Sequence, residues 1–273
     1  MRTYADQVTA GAQNVVTTYA TVRPSIGADD PANALYTTFA AAYAAVTAAT
    51  GPKKTIYIDS PGVIVNIAAA AYDLKDIAII GLATSVLSNA ITIADGTTFT
   101  NWPDGFENCS VIFLGTAPLF DQSAATATAR VIRTGKRCVL ACAGTAPMIR
   151  CSNAGAILGV EVEDFSTIGL AAYEVVDVAA GEIQLNLYDN TTLGQDTVRG
   201  VGGTTLGLLF VGVGPQFLTQ ANFAGTLATF DGAANLYYET TDLLAWATLP
   251  TTTGDALDRI ATAVAGLLGV PIP

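Results

Sequence analysis

Val111-Ile112-Phe113-Leu114-Gly115-Thr116-Ala117-Pro118-Leu119-Phe120 has a counterpart in Val139-Leu140-Ala141-Cys142-Ala143-Gly144-Thr145-Ala146-Pro147-Met148-Ile149, and the shared Gly-Thr-Ala-Pro lies 29 residues further on. Downstream, Val160-Glu161-Val162-Glu163-Asp164-Phe165-Ser166-Thr167-Ile168-Gly169 matches Leu185-Asn186-Leu187-Tyr188-Asp189-Asn190-Thr191-Thr192-Leu193-Gly194 at an offset of 25. Gly144, Gly169 and Gly194 continue that step. A period of this length, holding two or three short strands, is one coil of a parallel solenoid whose coils stack at about 4.8 Å and bury ladders of like residues. The register places Val160, Val162 and Ile168 beneath Leu185, Leu187 and Leu193 in the interior. Strand alternation then turns Glu161 and Glu163 outward.

Short alternating runs extend the pattern upstream: Thr55-Ile56-Tyr57-Ile58-Asp59, Gly62-Val63-Ile64-Val65-Asn66-Ile67, Ile77-Ala78-Ile79-Ile80-Gly81 and Ala90-Ile91-Thr92-Ile93-Ala94-Asp95-Gly96. Gly, Asp or Asn closes almost every one, and no helix-length segment intervenes, which excludes a wound βαβ sheet. The expected fold is all-β: a right-handed, single-stranded parallel β-helix over 53–221. An N-terminal capping helix occupies 29–52 and a short amphipathic helix 251–273. Residues 1–28 read as a docking arm and 222–250 as an aromatic-rich region with Phe223, Phe230, Tyr237, Tyr238 and Trp246.

In the first helix Asp30 is the expected cap and Pro31 the first residue, and Gly51-Pro52 stops it. Its apolar face is Leu35, Phe39, Tyr43 and Val46, which covers the open end of the solenoid. In the last helix Thr252 and Asp255 have capping-box spacing, and Leu257, Ile260, Val264 and Leu267 form a narrow seam. Two heptads are too few for an independent coiled coil, so the seam is expected to pack on symmetry mates, with packing against its own β-helix as the alternative.

Composition narrows the function. The 273 residues carry 12 Lys+Arg against 23 Asp+Glu, a net charge of −11, and no histidine. Nucleic acid would be repelled, and the commonest general base and neutral metal ligand are missing. Only 13% of residues are charged, about half the usual share, which suits a surface covered by Thr, Ser and small residues or by other copies of the chain. No run has the length of a membrane span and the N-terminus shows no apolar signal region, so the expectation is synthesis in a cytosol with the four cysteines as free thiols. Cys109, Cys138, Cys142 and Cys151 fit no zinc spacing and read as interior ladder residues or small hydrophobes at turns.

Arg199-Gly200-Val201-Gly202-Gly203-Thr204-Thr205-Leu206-Gly207 is glycine-rich but lacks the Lys-Ser/Thr of a phosphate loop and opens no helix; corner glycines explain it. Glu161, Glu163, Asp164, Asp177, Glu182 and Asp189 are the material from which a glycan-cleaving site could be built, with Asp164 and Asp189 one coil apart. No Arg or Lys is expected to join them. Trp102 and Trp246 could form a sugar platform, and core or interface anchoring is the plainer reading. No catalytic, metal or cofactor residues are assigned.

The Ala-rich helix leading into Thr55–Asp59 and then Tyr72-Asp73-Leu74-Lys75-Asp76-Ile77-Ala78-Ile79-Ile80-Gly81 resembles the opening of pectate-lyase-like β-helix proteins. Ile91-Thr92-Ile93-Ala94-Asp95-Gly96-Thr97-Thr98-Phe99-Thr100-Asn101, Phe106-Glu107-Asn108 and the Gly-Thr-Ala-Pro repeats look like virion proteins of tailed bacteriophages. So do the closing Ala256-Leu257-Asp258-Arg259-Ile260-Ala261 and Pro271-Ile272-Pro273. The likeness covers roughly 30–215 plus the tail and implies a non-enzymatic head fibre, head decoration or neck appendage. Such a protein is commonly a homotrimer bound to capsid or neck proteins, made in the host cytoplasm and located in the virion. A receptor-binding or glycan-cleaving spike touching a host surface glycan is the alternative; nucleic acid and membrane are not expected partners.

Overall fold

The computed structural model describes residues 17–163, 166–169, 173–188, 192–193, 198–200, 205–211 and 226–230. The chain divides into two compact units, residues 1–228 and 229–273. The seam residues Leu257, Ile260, Val264 and Leu267, with Trp246, lie outside the described residues, as do Asp164 and Asp189.

The first unit is a parallel β-solenoid with three faces. Face 1 runs through Thr17–Val22, Lys53–Ile58, Ile77–Gly81 and Gly105–Glu107, and after a break through Arg130–Arg133, Ile157–Val162, Glu182–Tyr188 and Thr205–Val211. Face 2 is a 6-stranded sheet of Val65–Ile67, Ala90–Ile93, Ser110–Phe113, Val139–Cys142, Thr167–Ile168 and Thr192–Leu193. Face 3 comprises Ala71–Asp73 beside Thr98–Asn101, then Phe120–Gln122, Ile149–Cys151, Val176–Val178 and Val198–Gly200. All these strand pairs are parallel.

Registers agree with the sequence repeat where it is strongest. Val111 pairs with Leu140, Val160 with Leu185 and Val162 with Leu187, and Ile168 with Leu193. The glycine step does not hold throughout: Ile168 pairs with Leu140, which sets Gly169 opposite Ala141 and not Gly144. The coil length at that point is 28 and not 25: the connection from face 1 to face 2 keeps its length there, with Arg133–Leu140 matching Glu161–Ile168, while the connections through face 3 shorten from coil to coil. Gly144 instead stacks on Gly115, so closely that a Cβ would collide with the Gly115 carbonyl.

Each face contributes an interior ladder. Ala20, Ile56, Ile79 and Phe106 stack on face 1, and Val65, Ile91, Val111, Leu140 and Ile168 on face 2. All are buried. Each such side chain contributes roughly 1.5–3 kcal/mol relative to exposure. The four cysteines are free and buried among these ladders. Burial pushes the thiols of Cys109 and Cys142 up to about 12 and that of Cys138 to about 11.

The N-terminal region departs from the expected boundaries. Thr17–Val22, inside the segment read as an arm, is a strand in register with Lys53–Ile58. Pro31–Asn33 forms a single 3₁₀ turn ended by Ala34 in the left-handed region, and Leu35–Tyr36 is a short strand. The helix α1 therefore spans Phe39–Ala48, not a segment starting at Asp30, and Leu35 is off it. Its N-cap is Thr38, whose hydroxyl accepts from Ala41 N–H at 3.2 Å. Asp29 instead accepts from the N–H and hydroxyl of Thr37. Phe39, Ala42 and Val46 are buried and Tyr43 packs beside them.

Aromatic rings link α1 to the coils. Phe39 and Tyr43 meet Tyr72 with centroids 5.6 and 5.0 Å away, Tyr72 meets Phe99 at 6.4 Å, and Phe99 meets Trp102 at 5.8 Å. Trp102 touches Phe106 and Phe120 in turn. Edge-to-face geometry prevails, as ring quadrupoles favour.

Candidate functional site

Pro103 lacks an N–H, so the chain there cannot continue the face 1 ladder. Phe106 N–H donates to Thr134 O at 3.0 Å, which leaves Arg130–Arg133 projecting opposite Trp102–Asp104 without a paired strand. Thr134 N–H donates to Glu161 O, so alternate residues of the projecting strand bond to Ile157–Val162 while Val131 and Arg133 turn their peptide groups to the gap. Trp102 Nε1 fills part of it, donating to Arg133 O at 2.8 Å. The result is an open cleft of about 630 Å³, with Lys75, Asp76, Asp104, Glu107, Lys136 and Glu163 on its walls.

Arg133 organises the cleft's charge. Its Nε donates to Glu161 at 2.8 Å and lies 3.5 Å from Glu163. Glu161 by hydrogen bond and charge, then Glu163 and Asp104 by charge, hold the guanidinium above its ordinary value. Arg130 stacks over Phe120 at 5.0 Å and donates to Gln122 and Asn101. An Arg does join the acidic residues, contrary to expectation. It was missed because Arg130–Arg133 belongs to the coil whose counterpart strand is absent, so no repeat gives its register.

The remaining sequence-nominated acids are dispersed. Asp177 is buried on face 3 in register between Arg150 and Arg199, and Arg150 Nε lies 3.4 Å from its carboxylate. With Asp121 opposite Arg150, this ladder alternates in charge along four coils. Glu182 accepts from Gln184 at 2.8 Å. Trp102 is core, 5% exposed. Arg199-Gly200 and Thr205–Gly207 lie in strands, so the glycine-rich stretch joins face 3 to face 1. Among the described residues no group of three or more Cys, Asp and Glu could hold a metal ion, and no helix is long and apolar enough to cross a membrane.

The other sides of the molecule differ sharply in charge. Every face 2 strand lies inside a run without Asp, Glu, Lys or Arg: 60–72, 77–94, 108–120, 138–149, 165–173 and 190–195. Among the described residues, charge reaches face 2 only at its corners, through Asp59, Lys136, Arg137 and Glu163 on the face 1 side and Asp95 and Glu174 on the face 3 side. Sequence reading missed this segregation because the runs align only once the coil register is known.

The chain matches no family model, no curated protein and no solved structure in comparisons with each.

Proposed function

We propose that this chain is a non-enzymatic structural component of a tailed-phage type of virion, a head fibre, head decoration or neck appendage, working as a symmetric oligomer. In this reading the β-helix is right-handed, as parallel crossovers are, and α1 caps its first coil. The closing helix joins three copies through Leu257, Ile260, Val264 and Leu267, and capsid or neck proteins are the further partners. The observation that carries the assembly role is the interior stack that runs from the α1 aromatics through Tyr72 and Phe99, crosses the gap between the two face 3 sheets through Trp102, and continues through Phe120, Ile149, Val176 and Val198. A stack of this kind makes a stiff rod, and many weak contacts multiplied by symmetry attach it. Placement in a phage particle rests on the sequence resemblance.

Light scattering on the purified protein tests the proposal. A species of three times 28.0 kDa is expected, and a monomer at every concentration overturns self-assembly. The cleft favours a second reading, a site for a host glycan, since it offers donors and acceptors of both signs beside Trp102. That reading expects binding on a glycan array that weakens in Arg133→Ala; no binding sinks it.

A further inference from the structure

The inference concerns where the copies meet, and it rests on the assembly reading. We propose that a second copy of this chain docks on the side formed by the charge-free strands of face 2 and the uncharged corner segments 60–64 and 82–89.

The net charge of −11 makes two copies repel when their acidic faces approach. Face 2 is the side of the described solenoid where strands carry no charge to oppose. An uncharged side is also self-complementary in charge under any symmetry operator, which a mixed-charge face is not. Interface cores are depleted in charged residues for the same reason.

The side chains agree. Val63 is 44% exposed, Ile64 60%, Leu82 51% and Leu87 71%, and all four lie on the two adjacent corner loops. Outward positions on the sheet are small or uncharged: Thr92 stands between Asn66 and Ile112 in register. The corner is rigid, because Asn89 is fully buried and its amide bonds both Ala83 groups, Ser85 O and Asn108 O. Asn108 in turn donates to Gly81 O and Ala83 O. Leu82 and Leu87 are therefore held outward by a built turn, which reduces the ordering cost of docking. Six strands at about 4.8 Å, each of two to four residues at about 3.3 Å, give a sheet roughly 29 Å long and about 7–13 Å wide, which the apolar corner segments widen at its N-terminal end.

The test is sedimentation equilibrium on the full chain, on Leu87→Asp, on Ile64→Asp/Leu87→Asp, and on Val131→Asp. The last adds the same charge at a 53% exposed position beside the cleft. The wild type and Val131→Asp are expected to associate alike, while the double variant weakens association at least about 100-fold by setting like charges against each other. Both substituted residues lie mostly in solvent, so circular dichroism should match wild type. Hydrogen exchange on the unaltered chain reads the same contact: 59–67 and 82–93 should gain protection on concentration. Wild-type association that persists in both Asp variants, or protection confined elsewhere, overturns this docking side and leaves the assembly reading intact. A wild type that stays monomeric overturns both.

Discussion

Asn89 shows how much one side chain can organise. Its amide saturates backbone groups on two coils, and no other residue of its size presents a donor and an acceptor in that geometry. Asn89→Ala orphans these groups, and we expect a loss of about 2–4 kcal/mol, read as a lower urea midpoint with unchanged slope. Gly144 is constrained by proximity and not by its dihedrals: Gly144→Ala drives a methyl into the Gly115 carbonyl and should lower the melting temperature by several degrees, on the order of 1–3 kcal/mol. The thiols give a pH prediction. Burial raises Cys109, Cys138 and Cys142 above the ordinary 9.0, so the unfolded state loses its thiol protons first as pH rises. Their contribution is full below pH 9 and falls away toward pH 11–12. Thermal melts should be flat from pH 7.5 to 8.5 and drop above 9, and a disulfide reagent at pH 8 should label these thiols only at the rate of unfolding.

At the level of elements, α1 is held by its rings more than by helix propensity. Ten residues are too few for an independent helix, and the buried Phe39 ring sits against Tyr72. Phe39→Ala should cost about 3–5 kcal/mol and raise hydrogen exchange first in Thr17–Val22 and Lys53–Ile58, the strands beneath. Uniform loss of protection across all coils would refute this polarity. The ion pair of Arg133 is a different case. Its side chain is 62% exposed, and exposed pairs contribute roughly 0–1 kcal/mol. Arg133→Ala should thus leave the urea midpoint almost unchanged while altering whatever the cleft binds.

For the whole molecule, the segregation of charge predicts how association responds to salt. Copies meeting on an uncharged side lose no ion pairs when salt is added, and screening relieves the repulsion of two chains at −11. Raising sodium chloride from about 20 mM to about 500 mM shrinks the Debye length from roughly 20 Å to under 5 Å, so association should strengthen. Weakening would mean that ion pairs hold the copies together.

Periodicity alone determined the solenoid, the pairings of Val111 with Leu140 and Val160 with Leu185, and the strand starting at Lys53. These follow from alternation and repeat spacing, which are local. The start of α1, the register of Arg130–Arg133 and the stacking of the uncharged runs were decided by tertiary structure. Asp30-Pro31 has sound local credentials as a helix start, yet Ala34 turns left-handed and Leu35 pairs with Thr21, so packing overrode propensity. The cleft arises from a missing strand and the uncharged side from superposing runs of unequal length. Both depend on how far each coil advances, a quantity set by loops whose lengths carry no periodic signal.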